Sequence, residues 1–518
     1  MQNIRLLWAD DEIDHLKAHL LFLRNKGYEV ETVSNGLDAI EEVRNKHYDV
    51  VLLDENMPGV SGLDALKEIK ELQPNLPVVM ITKSEEEHIM EDAIGSKIAD
   101  YLIKPVNPNQ ILISLKKIVD HGRLVSEGVT SRYQQEFRKI SMTLMDHLSF
   151  EEWKDLYKKL VYFELELESA GEGGMKEVLE NQKLEANREW SKYVSQNYIN
   201  HLPYDDEDAP TMSHTLMRKE VFPEVDANET TYFLLIDNLR FDQWRIIQPL
   251  ISNYFRVESE ELYMSILPTT TQYCRNSLFS GLLPSDIEDR FPGKWSNDED
   301  EGGKNLHEEF FLNDLVKRLR KNYKVSYFKI LNMFKGKELA DRIPNLAQND
   351  LNVIVYNFVD SLSHARTDYK IVRELAEDEA AYRSITRSWF EHSPLFDIMK
   401  NIAEQPNAKV IISTDHGSVR VNNFVKVVGD KKTTTNLRYK TGRSLSVNKK
   451  EVFAIDKPEK AGLPTQHLSS SFVFCKDNDF FVYPNNLNHY AKYYKDTFQH
   501  GGISLEEMMI PLITLSPK

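Results

Sequence analysis

Twice along this chain short apolar runs alternate with charged segments of helical periodicity, and the stretch between them has helical spacing alone. Apolar runs of strand length punctuated by amphipathic helices bury both faces only inside a parallel sheet flanked by helices. In residues 1–120, IRLLWA, VETVS, VVLLD, VVMIT and ADYLIK read as strands. From about 215 onward TYFLLID, RVESEEL, KVSYFKIL, NVIVYNFVD, KVIISTDHG and SFVFC repeat the pattern. The intervening segment, broken by SAGEGG at 169–174 and followed by the solvated loop PYDDEDAP, predicts a small helical bundle. The expected fold class is α/β multidomain, with domains over 1–120, 121–205 and 206–518. A chain of 518 residues is too long for one core.

Composition excludes several roles. A net charge of -17 leaves no basic surplus to displace phosphate counterions, so a general nucleic-acid coat protein is excluded. No helix-turn-helix with a basic recognition face is evident, which argues against direct DNA binding. No apolar run approaches the roughly 20 residues that span a bilayer, and MQNIRLLWADDE is acidic where a signal peptide would be apolar. The expectation is a cytoplasmic protein without membrane insertion. Cys274 and Cys475 are too few for a disulfide framework and read as buried small hydrophobes. The acidic run NDEDEGG (297–303) reads as an exposed loop.

Chemistry in parallel sheets gathers at the carboxyl ends of the strands. Asp10, Asp11, Asp54, Thr82 and Lys104 all fall there. Three converging carboxylates suit a hard cation such as magnesium, which can draw a phosphoryl donor onto a carboxylate. Thr82 would offer a hydroxyl to the new phosphoryl oxygens, and Lys104 a counter-charge. ADDE, LLDENMPGVSG, the MIT step and YLIKP together resemble the flavodoxin-like receiver domain of two-component response regulators. The resemblance implies that Asp54 is the phospho-acceptor, that Asp10 and Asp11 join it around Mg2+, and that Tyr101 is the switch aromatic beside Thr82 and Lys104. It also implies a cognate sensor histidine kinase and dimerisation on phosphorylation.

Five fragments of the last 280 or so residues carry a second set: LLIDNLRFD, LPTTTQYCRNS, NFVDSLSHAR, STDHGS and QHGG. Imidazoles and carboxylates are zinc ligands, and two zinc ions can clamp both oxygens of a phosphoryl transfer. Asp360 and His364 are spaced i, i+4, on one face of a helix. Asp415 and His416 end an apolar strand, Asp237 ends another, and His500 precedes two glycines that let backbone approach a metal. A threonine hydroxyl activated by zinc would be the nucleophile. Thr271 is the natural choice, with Thr269 and Thr270 adjacent alternatives.

The set resembles the alkaline phosphatase superfamily, in its nucleotide pyrophosphatase/phosphodiesterase branch. That family's nucleophilic threonine falls on Thr271. By analogy one zinc takes Asp237, Thr271, Asp415 and His416, and the other takes Asp360, His364 and His500. HGGISLEEMMIP (500–511) and KKTTTNLRYKTGRS (431–444) look like the PglZ domain of that superfamily, an α/β sandwich. Arg275 and Asn276, just past the nucleophile, read as phosphoryl contacts, and the basic stretch with Lys431, Lys432, Arg438, Lys440 and Arg443 reads as a site for substrate phosphates or as a solvated loop. A receiver, a helical middle and a PglZ domain in one chain resemble the response regulators tied to type IX secretion. The implied function is a phosphorylation-controlled zinc phosphodiesterase acting on a nucleotide or a short, possibly cyclic, oligonucleotide. The alternative is a non-catalytic scaffold that binds a sigma factor or a secretion component.

Overall fold

The computed structural model describes residues 4–518 except 84–97, 120, 172, 227, 299, 301, 369, 430–432, 466 and 468. The side chains of 121–127, 173, 364–368 and 370–372 also lie outside the described set. The chain divides into two compact units, Met1–Arg132 and Tyr133–Lys518.

In the first unit β1 (Ile4–Ala9), β2 (Tyr28–Val33), β3 (Val50–Asp54), β4 (Val78–Thr82) and β5 (Asp100–Ile103) form a parallel sheet. Its order is β2-β1-β3-β4-β5. β3 and β4 are buried along their whole length, which is why VVLLD and VVMIT are continuous apolar runs rather than alternating ones. The strand order reverses between β1 and β3, so a crevice opens at their carboxyl ends, where Asp10 and Asp54 lie. Gly62 opens the helix Gly62–Leu72 against that crevice. A Cβ there would overlap the Asp54 carbonyl.

The second unit is built on a six-stranded sheet. β6 (Thr230–Ile236), β8 (Val325–Ile330), β9 (Leu351–Tyr356) and β10 (Ala408–Ser413) run parallel, while β7 (Phe255–Met264) pairs antiparallel with the last strand, Met509–Pro517. Across the sheet the order is β7, Met509–Pro517, β10, β6, β9, β8. The last strand is therefore interior, although its prolines at 511 and 517 argue against a central strand. The ladder to β10 ends at the Ser413–Leu512 pair, so Pro511 lies beyond it and owes no amide there. Between β10 and the last strand, short strands from Val419 to Gln499 form small sheets around Val425, Val427, Val473 and Phe481.

Two long helices of the middle segment, Phe150–Ser169 and Gly173–Asn197, belong to this same unit. The first starts on a capping box between Ser149 and Glu152. It ends in SAGEGG, where Gly171 takes a φ of 70°. The helices meet through Trp153 and Trp190, edge to face at 5.4 Å. Their buried charges are paired. Glu164 accepts from Lys183 at 2.6 Å and from Arg383, on the helix Glu379–His392, at 2.9 Å.

Burial alone would push the Glu164 carboxyl up, but Lys183 and Arg383 outweigh it and hold the group down at about 2. A carboxylate with a depressed folded value stabilises the fold above its ordinary value of 4.5 and loses that contribution as pH falls toward 2. Glu164→Gln is therefore expected to be less stable than wild type at pH 7 and to lose less further stability between pH 4.5 and 2. Urea midpoints across that range would check it. Parallel pH curves would refute it.

Candidate metal and nucleophile sites

At the β1–β3 crevice the carboxylates of Asp10, Asp11 and Asp54 converge, with ligand atoms within 4.8 Å of one another. Lys104 Nζ lies 2.8 Å from Asp10 Oδ2 and 2.8 Å from Asp54 Oδ2. Asp54 Oδ1 is buried without a hydrogen-bond partner among the described residues, which suits a group that accepts a cation or a phosphoryl. Burial raises the Asp54 carboxyl above its usual range, Lys104 opposes the rise and Asp10 adds to it. Thr82 is buried at the end of β4 and shares a side-chain hydrogen bond with Tyr101 on β5.

In the second unit the strand ends bring together residues that are far apart in sequence. Asp237 follows β6 and Asp415 and His416 follow β10, the strand beside it, and their ligand atoms lie within 4.8 Å of one another. All three are fully or almost fully buried. His416 Nδ1 donates to the Gly417 carbonyl at 3.1 Å, so Nε2 keeps its lone pair for the site. Thr271 opens the helix Thr271–Ser280, and its Oγ1 lies 3.1 Å from that Nε2. The neighbouring Thr269 is committed elsewhere. Its hydroxyl donates to the Gly502 carbonyl at 3.0 Å and accepts from Gly501 N at 2.9 Å. Thr270 stands at the N-cap position of the helix, where its side chain makes no capping hydrogen bond.

His500 stacks on His416 with ring centroids 4.4 Å apart. Its Nδ1 donates to the Thr269 carbonyl at 3.2 Å, turning Nε2 toward Asp360 Oδ1 at 3.6 Å. Asp360 is in the first turn of the helix Phe358–Asp368, which also carries His364 one turn on; the His364 side chain lies outside the described residues. The donor set of imidazoles, carboxylates and one hydroxyl fits zinc. Asp237 Oδ1 is buried with no hydrogen-bond partner among the described residues, leaving a lone pair for an ion.

Arg275 lies one turn past Thr271 and is fully buried. Its Nε lies 2.9 Å from Asp415 Oδ2, its Nη2 pairs with Asp237 Oδ2, and its Nη1 donates to Asn357 at 3.1 Å. Burial pushes the Asp237 carboxyl well up, whereas the Arg275 guanidinium overcomes the same burial at Asp415 and holds it down at about 2. Arg275 thus binds the carboxylates rather than a substrate, contrary to the sequence expectation. The other expected contacts Asn276, Arg438 and Lys440 are likewise engaged inside the fold. Asn276 is buried and donates to the Lys304 carbonyl at 3.1 Å. Arg438 is buried against Glu507 at 2.6 Å, and Lys440 donates to the Thr434 carbonyl at 2.7 Å. Two charges of the basic stretch, Arg438 and Lys440, thus found acceptors inside the fold. Lys431 and Lys432 lie outside the described residues. Asp298, in the acidic run expected as a plain exposed loop, accepts hydroxyls from Tyr273 at 2.7 Å and Tyr439 at 2.8 Å.

A family model described as the BREX system PglZ alkaline phosphatase-like domain matches residues 216–515. The chain belongs to the PglZ alkaline phosphatase-like family. A receiver-domain model matches residues 6–116, and a PorX response regulator linker model matches 123–202, so the three follow one another in the PorX architecture. Among curated relatives, the transcriptional regulatory protein ZraR of Klebsiella oxytoca is 35% identical over 26% of this chain and 31% of its own length. The chain thus spans about a third of that relative. The chemotaxis protein CheY of Thermotoga maritima is 31% identical over 22% of this chain and 96% of its own length. A solved receiver domain from Clostridium thermocellum is 28% identical over 23% of this chain and 98% of that one, with a TM-score of 0.22. The receiver implies a sensor kinase as partner. Among the described residues no helix is long and apolar enough to cross a membrane.

Removing Arg275 from this PglZ domain would leave two buried carboxylates uncompensated. In chelator-treated protein Arg275→Met is expected to lower unfolding stability by about 3–5 kcal/mol, read from urea unfolding by circular dichroism. A change within experimental scatter would show that the clamp is dispensable.

Proposed function

We propose that this chain is a response regulator, phosphorylated on Asp54, whose output domain is a zinc-dependent phosphodiesterase acting on nucleotides or short oligonucleotides in control of type IX secretion. The division into a receiver (1–120), a helical segment (121–205) and the PglZ domain (206–518) is part of the same proposal, as is a cytoplasmic location. The observation that carries the enzymatic reading is the Thr271 hydroxyl set 3.1 Å from His416 Nε2, at the mouth of the Asp237–Asp415–His416 cluster.

Asp237, Thr271, Asp415 and His416 would hold one zinc, and Asp360, His364 and His500 the other. Zinc, when bound, supplies Lewis acidity and lowers the pKa of hydroxyls at the site. Thr271 Oγ1 attacks phosphorus, the P–O bond to the leaving group breaks with its electron pair on the departing oxygen, the threonine proton ends on that oxygen to give the alcohol, and a phosphothreonine forms. The tautomer set by Gly417 leaves His416 Nε2 without a proton, so that face of the ring never competes as a donor with the attacking oxygen. Water then attacks phosphorus, and the Thr271 oxygen leaves. In the receiver, Asp10, Asp11 and Asp54 would hold magnesium, and an Asp54 oxygen takes the phosphoryl group while Lys104 faces its charge.

Thr271→Ala is expected to lower kcat for bis-p-nitrophenyl phosphate by at least about a thousandfold, and chelation of wild type to do the same, with activity restored by added Zn2+. Hydrolysis that survives both would remove Thr271 and zinc from the reaction, and no hydrolysis by zinc-loaded wild type would favour a binding scaffold. With acetyl phosphate and Mg2+, wild type is expected to shift from monomer to dimer in light-scattering chromatography and Asp54→Ala to stay monomeric. An identical shift in both would remove Asp54 from the switch.

A further inference from the structure

The helices Phe150–Ser169 and Gly173–Asn197 reach the loops that carry Asp415, His416 and His500 by two chains of buried polar contacts. The first runs through the short helix Leu505–Met508. Asn187 Oδ1 accepts from Leu505 N at 2.7 Å, Asn187 Nδ2 donates to Glu506 Oε2 at 3.0 Å, and Lys183 stands 3.3 Å from Glu506 Oε1. That short helix grips both metal-ligand loops. The Glu507 carbonyl accepts from Gly417 N at 3.1 Å, and its carboxylate accepts from Gly502 N at 2.9 Å. A Cβ on Gly417 would overlap the Glu506 carbonyl, so the two backbones lie in direct contact.

The second chain starts at Glu164. Arg383 bridges Glu164, at 2.9 Å, and Asp242, at 2.8 Å. Asp242 in turn accepts from Arg240 at 2.6 Å, and Arg240 donates to the Ser418 carbonyl at 3.4 Å. Arg240 stands three residues after Asp237 and covers the Phe498 ring at 5.3 Å, two residues before His500. Asn187, Arg240, Asp242 and Arg383 are all buried. A buried charge whose partner moves must follow it or be left uncompensated, so such chains transmit displacement rather than absorb it.

We infer that Asn187, Glu164 and Arg240 are positioning residues through which the middle helices set the geometry of the zinc ligands. The middle segment is then a part of the catalytic apparatus rather than a spacer. This rests on the proposed zinc site. Through the helix Leu505–Met508 the middle helices hold Gly417, next to His416, and Gly502, two residues past His500, and anything that shifts the helices alters zinc coordination. Groups that orient metal ligands typically change metal affinity by about 10–100-fold when removed.

The test is zinc affinity of the full chain, by competition with a chromophoric chelator, in Asn187→Ala, Glu164→Gln and Leu179→Ala, each with its urea unfolding curve. Leu179 is buried on the same helix as Asn187 and is no member of either chain. Asn187→Ala and Glu164→Gln are expected to weaken zinc binding by about tenfold or more while unfolding in one cooperative transition, and Leu179→Ala to lose stability but keep wild-type affinity. Unchanged affinity in Asn187→Ala, or an equal loss in all three, overturns the inference. Asn187→Ala decides alone if Glu164→Gln does not fold. Wild type that binds zinc yet hydrolyses no diester would sink the functional reading and leave the positioning result intact. Wild type that binds no zinc would remove both.

Discussion

The second unit depends on the burial of like charges at one point. Asp237 and Asp415 stand at the ends of adjacent strands with almost no exposure, where two carboxylates repel strongly. Arg275 makes that arrangement tolerable, pairing with one oxygen of each. It leaves Asp237 Oδ1 without a hydrogen bond among the described residues, so the buried charge is compensated on one side and open on the other. A site of this kind is prepared for a cation. The same logic recurs in the receiver, where Lys104 takes one oxygen each of Asp10 and Asp54, and Asp54 Oδ1 stays unpartnered among the described residues.

Order around these points comes from hydrogen bonds that fix tautomers and glycines that allow contact. Backbone carbonyls take the Nδ1 protons of His416 and His500, so both rings present the other nitrogen inward. Gly417 lies against the Glu506 backbone where no side chain fits. The catalytic-type residues are therefore held by main chain as much as by side chains. The neighbouring ionic chains through Asp242 and Glu506 fasten that main chain to the middle helices.

How much of this was legible beforehand depended on whether a signal was local. The receiver strands, the four parallel strands of the second unit and the break at SAGEGG all follow from periodicity and composition within a few residues, whereas the antiparallel pairing of β7 and the separate small sheet of Ser470–Cys475 do not. The site fragments were visible because each ends an apolar run. Arg438 and Lys440 were misleading, because a basic cluster looks the same in sequence whether it faces solvent or lines up with internal carbonyls. The last strand was obscured by its two prolines, and Asp298 by its acidic neighbours.

The sequence by itself determined the α/β rhythm, the order of receiver, helices and PglZ domain, and the identity of the candidate ligands, because strand burial and ligand chemistry are properties of residue type and spacing. Only the tertiary structure decided which of three threonines meets a histidine, that Arg275 clamps carboxylates, and that the middle helices grip the short helix beside the candidate-ligand loops. Those contacts join residues as far as 318 positions apart, from Asn187 to Leu505. Distance in sequence carries no information about which buried charge will find which partner. That choice is made when the sheet closes and each desolvated group must be paired.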